Sequence, residues 1–175
     1  MGRVMKNIKV VRVWDMEELI KLFEELKEEV ILIEKLKLVL IDSLPCLMFQ
    51  HLGEDCKVGL KFLNLFVNSA RFLSKKLNLS IVCVNIMTRW VEQGLSEVDG
   101  DENVCWKETK SRCLGRYWHH IPSIVLMIEE SNNYQKSEEC KIMTVNITKS
   151  AITTINESCN IIINSRGVFS CLQSD

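Results

Sequence analysis

Lys37-Leu38-Val39-Leu40-Ile41-Asp42-Ser43 is the stretch on which the fold turns. The aliphatic run Leu36–Ile41 lacks the in-out alternation of a half-exposed strand, which predicts a strand buried on both faces of a parallel sheet. It delivers Asp42 to its C-terminal end, the edge at which open α/β sheets bind ligands. A hard cation such as magnesium needs anionic oxygen, and an aspartate there can supply it. A strand ending in Asp is common as an ordinary turn or helix cap, so Asp42 by itself is a weak signal for magnesium.

Working outward, the preceding segment Ile8–Val13 reads as a short strand. Asp15 is placed to cap a helix, with Glu18 as the acid of a capping box and Trp14 and Leu19 as a hydrophobic staple. Met16, Leu19, Ile20, Phe23 and Leu26 recur at helical spacing. After Ser43, Pro45–Cys56 reads as a loop. Lys57–Leu77 reads as a long amphipathic helix through Leu60, Leu63, Phe66, Val67, Ala70, Leu73 and Leu77. Leu79–Met87 predicts a second buried strand. Thr88–Cys113 is polar and mixed in charge, the profile of a long functional loop. Ser123–Glu129, Lys141–Thr148 and Asn160–Asn164 predict three consecutive strands, the first two joined by the polar connector Ser131–Glu139. The order implies an α/β fold, a parallel sheet with a C-terminal antiparallel extension.

The 175 residues suit one domain, and 47% hydrophobic residues allow a packed core. A net charge of −1 gives no basic field over the whole chain, so any nucleic-acid surface must be local. The eight cysteines form no C-x-x-C pair, which argues against zinc and, without a secretory signal, suggests free thiols. Cys83, inside Ile81-Val82-Cys83-Val84, reads as a small hydrophobe. No apolar run spans a bilayer. Hydrolase, zincin and dinucleotide motifs are absent from the sequence.

Several segments together resemble the eukaryotic RecA-like recombinases, nearest to their paralogue D branch. Leu38–Ser43 is similar to that family's Walker B strand, and Asn7–Val13 with Asp15 to the stretch before it. Val84-Asn85-Ile86-Met87-Thr88-Arg89 resembles a strand end of the paralogue. Leu114-Gly115-Arg116-Tyr117-Trp118, Ile121-Pro122-Ser123 and Thr148-Lys149-Ser150 resemble three later motifs. The ordered set spans almost the whole chain. It implies the C-terminal part of a RecA-like P-loop ATPase domain over 1–175, acting in homologous-recombination DNA repair in the nucleus. The implied partners are sister paralogues and single-stranded DNA; the implied cofactors of the parent family are ATP and magnesium. The resemblance assigns Asp42 to magnesium through water, with Ser43 and Asn85 beside it, and Lys149 to ATP held by a neighbouring protomer. An ordinary surface lysine is the alternative for Lys149.

The family's phosphate loop, G-x-x-x-x-G-K-[ST], occurs nowhere in the sequence, and its catalytic-glutamate strand is also without a counterpart. The sequence therefore predicts a truncated or degenerate member that does not hydrolyse ATP by itself. Ile86 stands where the family has a polar residue able to hydrogen-bond phosphate. Thr88–Cys113 corresponds to the family's second DNA-binding loop and offers Arg89, Trp90, Trp106, Lys107, Lys110 and Arg112. Against them stand Glu92, Glu97, Asp99, Asp101, Glu102 and Glu108, so phosphate contacts should be few and DNA binding weak. Trp90 and Trp106 can stack on bases or anchor a protein partner. His119 and His120 read as packing or capping residues of a short helix, and Trp118 as a core or domain-edge aromatic. Two functions follow: a subunit of a recombination-repair ATPase complex that assists filament assembly, or a non-catalytic module that binds sister subunits without nucleotide.

Overall fold

The computed structural model describes residues 5–29, 33, 35–51, 56–94, 105–131 and 140–171, with the backbone alone described for Cys56, 89–94 and 105–111. The chain is α/β, with a parallel sheet in its N-terminal part and an antiparallel sheet in its C-terminal part. It divides into two compact units, Met1–Tyr117 and Trp118–Asp175.

In the first unit, helix α1 (Met16–Lys27) starts where the capping signals place it. The Glu18 amide donates to Asp15 Oδ1 at 2.8 Å, and Glu18 Oε2 accepts the Trp14 amide at 2.8 Å. The staple does not form: Leu19 is buried, but Trp14 stands 76% exposed. Met16, Leu19, Phe23 and Leu26 form the buried stripe. They face helix α3 (Cys56–Leu77), whose Leu63, Phe66, Val67 and Leu73 are buried in turn. Phe23 and Phe66 meet edge to face, with ring centroids 5.2 Å apart. Ser69 Oγ donates to Glu24 Oε1 at 2.6 Å, and Lys27 Nζ lies 2.6 Å from the same carboxylate. Those two partners, Lys27 first, hold the Glu24 carboxyl below the ordinary glutamate range. Helix α3 ends on Asn78 at φ 49°, with the Leu79 amide reaching back to the Ser74 carbonyl at 3.3 Å. This left-handed close satisfies an end carbonyl and turns the chain into the next strand.

Strands β1 (Leu38–Ile41) and β2 (Ser80–Cys83) pair in parallel, Leu38 with Ser80 through Ile41 with Cys83. Between them run helix α2 (Leu44–Met48), opened by Pro45 in its first turn, a 3-10 turn at Phe49–His51, and α3. Gly59 of α3 passes close to that turn, where an added Cβ would meet the His51 carbonyl oxygen at 2.8 Å. Strands β3 (Met87–Gly94) and β4 (Cys105–Arg112) form an antiparallel ribbon, followed by helix α4 (Gly115–His119). The second unit is a four-stranded antiparallel meander: β5 (Ile124–Glu130), β6 (Cys140–Ser150), β7 (Ser158–Asn164) and β8 (Gly167–Ser170), neighbours in that order.

Several expectations are corrected. Ile8–Val13 is not a strand; it lacks regular structure, with Ile8, Val10 and Val11 exposed. Strand-prone residues become a strand only when a neighbour accepts their backbone hydrogen bonds. Leu36–Ile41 is not buried on both faces. Leu38 is 54% and Leu40 62% exposed, because the sheet has two strands and only the face carrying Ile41 is covered. Pro45–Cys56 is partly helical rather than a loop; residues 52–55 lie outside the described set. The second strand stops at Cys83, four residues before Met87. Thr88–Cys113 is mostly a paired ribbon, not a loop. The three C-terminal strands form close to their expected limits, and β8 adds a fourth; 132–139, within the expected connector, lies outside the described residues.

Candidate nucleic-acid interface

Two places carry the expected site residues. The first is the C-terminal end of the parallel pair. The Val84 amide donates to the Ile41 carbonyl at 2.9 Å and the Leu44 amide to the Val84 carbonyl at 3.2 Å. These bonds set Asp42 and Ser43, after β1, beside Asn85, after β2. Their side chains are not arranged as a metal or phosphate site. Ser43 Oγ lies 2.9 Å from Cys46 Sγ, and Asn85 Oδ1 accepts the Ile86 amide at 2.9 Å. Asp42 is exposed, and among the described residues no three His, Cys, Asp or Glu side chains gather to hold a metal.

ATP with magnesium does not fit this edge. One carboxylate can hold magnesium only when phosphate oxygens and waters complete its octahedron, and the phosphates need a cradle of backbone amides. The sequence contains no such glycine-rich loop. Gly59 sits inside a helix against the His51 carbonyl, and Gly115 and Gly167 occupy isolated left-handed turns. Cys83, beneath this edge, has its thiol pushed up to about 11 by burial, so it remains a protonated packing group. Lys149, expected to reach a neighbour's nucleotide, lies in β6 and donates to the His119 carbonyl at 3.0 Å. His119 and His120 place their rings 5.4 Å apart, edge to face, at the end of α4, and Trp118 is buried.

The second place is the β3–β4 ribbon, which holds all six residues of the expected DNA loop. The register pairs Met87 with Arg112, Arg89 with Lys110, Val91 with Glu108 and Gln93 with Trp106; the alternate pairs are Thr88–Ser111, Trp90–Thr109, Glu92–Lys107 and Gly94–Cys105. Paired residues of an antiparallel ladder share a face, and faces alternate along each strand. Arg89, Lys110, Arg112 and Trp106 therefore belong to one face, where Glu108 is the only acid in the ladder. Lys107 and Trp90 belong to the other, and there Lys107 stands opposite Glu92. Glu97, Asp99, Asp101 and Glu102 fall in the span between the strands, outside the described residues. The net acidic mixture of the sequence thus resolves, by register, into one ribbon face with three cations, one acid and a tryptophan. Counting charge over the whole loop hides this; the parity of Thr88-Arg89-Trp90-Val91-Glu92 against Lys107-Glu108-Thr109-Lys110-Ser111 is the signal that exposes it.

No model of a known protein family matches the chain, and no curated protein matches it.

Proposed function

We propose that this chain is a non-hydrolysing subunit of a recombination-repair assembly, similar to the RecA-like recombinase paralogues, that touches single-stranded DNA through the β3–β4 ribbon. The observation that carries the reading is the register that gathers Arg89, Lys110, Arg112 and Trp106 on one face. Cations at alternate positions match a phosphate backbone, and a tryptophan among them offers a stacking platform for bases of any sequence. So few phosphate contacts supply little affinity at physiological salt, so the ribbon assists binding by a larger complex with sister subunits. ATP and magnesium have no part in the contact.

The test is fluorescence anisotropy on a labelled oligothymidylate across a salt series. Joint Arg89→Ala and Lys110→Ala substitution should reduce the salt slope by about 1.4, near 0.7 for each single-strand phosphate that is no longer neutralised. Trp106→Ala should cost about 1–3 kcal/mol. Lys107→Ala, on the opposite face, should leave the slope nearly unchanged. An unchanged slope in the double variant, with a reduced slope in Lys107→Ala, rejects the reading.

One observation favours the second reading, a protein-binding module. Leu40 and Val82 are paired across β1 and β2 and stand 62% and 46% exposed. A sister subunit that covers them would bind without nucleotide. Hydrogen–deuterium exchange of the chain in such a complex would then protect β1 and β2 and leave the ribbon unchanged.

A further inference from the structure

The β5 edge of the C-terminal sheet has the features of a pairing surface for itself. Among the described residues β5 is an outer strand of the four-stranded order, bonded to β6 on one side. Natural edge strands are kept from pairing by shortness, an inserted charge, a proline or a bulge. The opposite edge, β8, is short, four residues from Gly167 to Ser170. Strand β5 runs seven residues, and Ile124-Val125-Leu126-Met127-Ile128 contains neither charge nor proline. The register shift beside it arises on the neighbouring strand: Val125 pairs with Lys149 and Leu126 with Ile147, so Thr148 is the extra residue and β5 stays regular. Ile124, Leu126 and Ile128 are 44%, 55% and 56% exposed, side by side on one face.

We infer that this chain forms a two-fold dimer in which β5 pairs antiparallel with β5 of a second copy, centred on Leu126. The partner is identified by self-complementarity, since one symmetric interface must satisfy both copies with the same residues. Centring on Leu126 sets Ile124 against Ile128, Val125 against Met127, and Leu126 against its own copy. Glu129 falls opposite Ser123 and Glu130 opposite Pro122, so no acid meets an acid or an apolar strand residue. Moving the centre to Ile128 would set Glu129 against Met127 and Glu130 against Leu126. Those two glutamates therefore disfavour registers centred beyond Leu126, and centring on Leu126 keeps the longest apolar overlap that avoids them; the dimer extends the sheet to eight strands. A contact of this length is small beside the ~1,200 Å² and more of a stable interface, so the dimer depends on concentration. The inference stands apart from the nucleic-acid reading and uses none of its residues.

The experiment is sedimentation equilibrium of the full chain between about 1 and 100 µM, the range in which a micromolar interface populates both states. The wild type should move from monomer to dimer across the range. Leu126→Lys sets two ammonium groups against each other across the axis and should weaken the dimer at least tenfold. Val168→Lys, at the opposite edge, should leave it unchanged. Circular dichroism of each variant reports whether the sheet is intact. Independently of folding losses, Leu126→Cys under mild oxidation should yield a 126–126 linked peptide by mass spectrometry, whereas Ile128→Cys should yield no 128–128 link. A monomer throughout the range, a dimer that survives Leu126→Lys, or the absence of the 126–126 peptide overturns the inference.

Discussion

The two compact units bury their apolar residues in opposite ways. In Met1–Tyr117 two amphipathic helices pack against each other, α3 also meets β2, and the large side chains Phe23, Phe66, Met16 and Leu73 are less than 2% exposed. In Trp118–Asp175, Trp118 is the one buried hydrophobic residue among those described; every described strand residue of the meander keeps part of its surface in solvent. Yet the meander is not poor in apolar residues. Its register puts Leu126 with Ile147, Ile128 with Val145, and Met143 with Ile161 on a common face. Apolar content alone does not make a core, because a sheet has to be covered by a second layer before its side chains leave water. The first unit supplies such cover from its own chain for one sheet face; among the described residues of the second, backbone pairing comes without one.

The largest expected effect follows from this contrast. Phe66→Ala should destabilise the first unit by about 3–5 kcal/mol, the usual loss for a buried aromatic truncated to alanine, whereas Ile128→Ala should cost under about 1 kcal/mol in the monomer, since half of its area already faces water. Denaturant titration of the two variants measures both, and equal losses would break the comparison. Native-state hydrogen exchange sharpens it next. Amides of α1 and α3 should be the most protected, and those of β7 and β8 should exchange through low-energy local opening. Slow exchange throughout the meander at low protein concentration would mean that it has a second layer after all.

The Ser69–Glu24–Lys27 cluster between the helices should give a smaller effect. Ser69→Ala should cost about 1 kcal/mol. Because the folded Glu24 carboxyl lies below its ordinary value of 4.5, its contribution is whole above that pH and is lost as pH falls through the lowered value. The gap between wild type and Ser69→Ala in thermal melts should therefore narrow in acid. Asp15→Ala should cost about 1 kcal/mol through the lost cap on α1, read from the same melts. The exposed Lys21–Glu25 pair, 3.9 Å apart, should contribute almost nothing.

What the sequence made legible follows the same division. Helices were readable because their signals are local: Asp15 and Glu18 mark a start, and the Met16–Leu26 spacing marks a face. The strands β5 to β7 were readable as strongly apolar runs between polar segments. Ile8–Val13 misled because β-prone composition is necessary for a strand and a neighbour is decisive, and the neighbour is not written in the segment. The ribbon is not legible in Thr88–Cys113 because polarity carries no information on cross-strand pairing. Asp42 and Asn85 come to neighbouring strand ends because β1 and β2 pair in parallel, a pairing that neither segment encodes by itself. The engagement of Asn85 with the Ile86 amide and of Ser43 with Cys46 depends on local geometry that no motif encodes.

The pairing of Leu38 with Ser80, set against that of Asn164 with Gly167, has a kinetic consequence. Parallel β1 and β2 cannot meet until the whole of α3 has been made and folded back, so the loop-closure entropy is large and is repaid late. The last hairpin of the meander closes over two residues, within microseconds of the chain becoming free to move. The segment with the less complete core is thus the quicker to acquire its backbone structure. During synthesis the slow unit has a head start, since it emerges first at about 5–20 residues per second. After dilution from denaturant that head start is gone, and uncovered strands form while α1 and α3 are still searching for each other. Refolding yield should therefore fall with protein concentration more steeply than the yield of chains folded during synthesis.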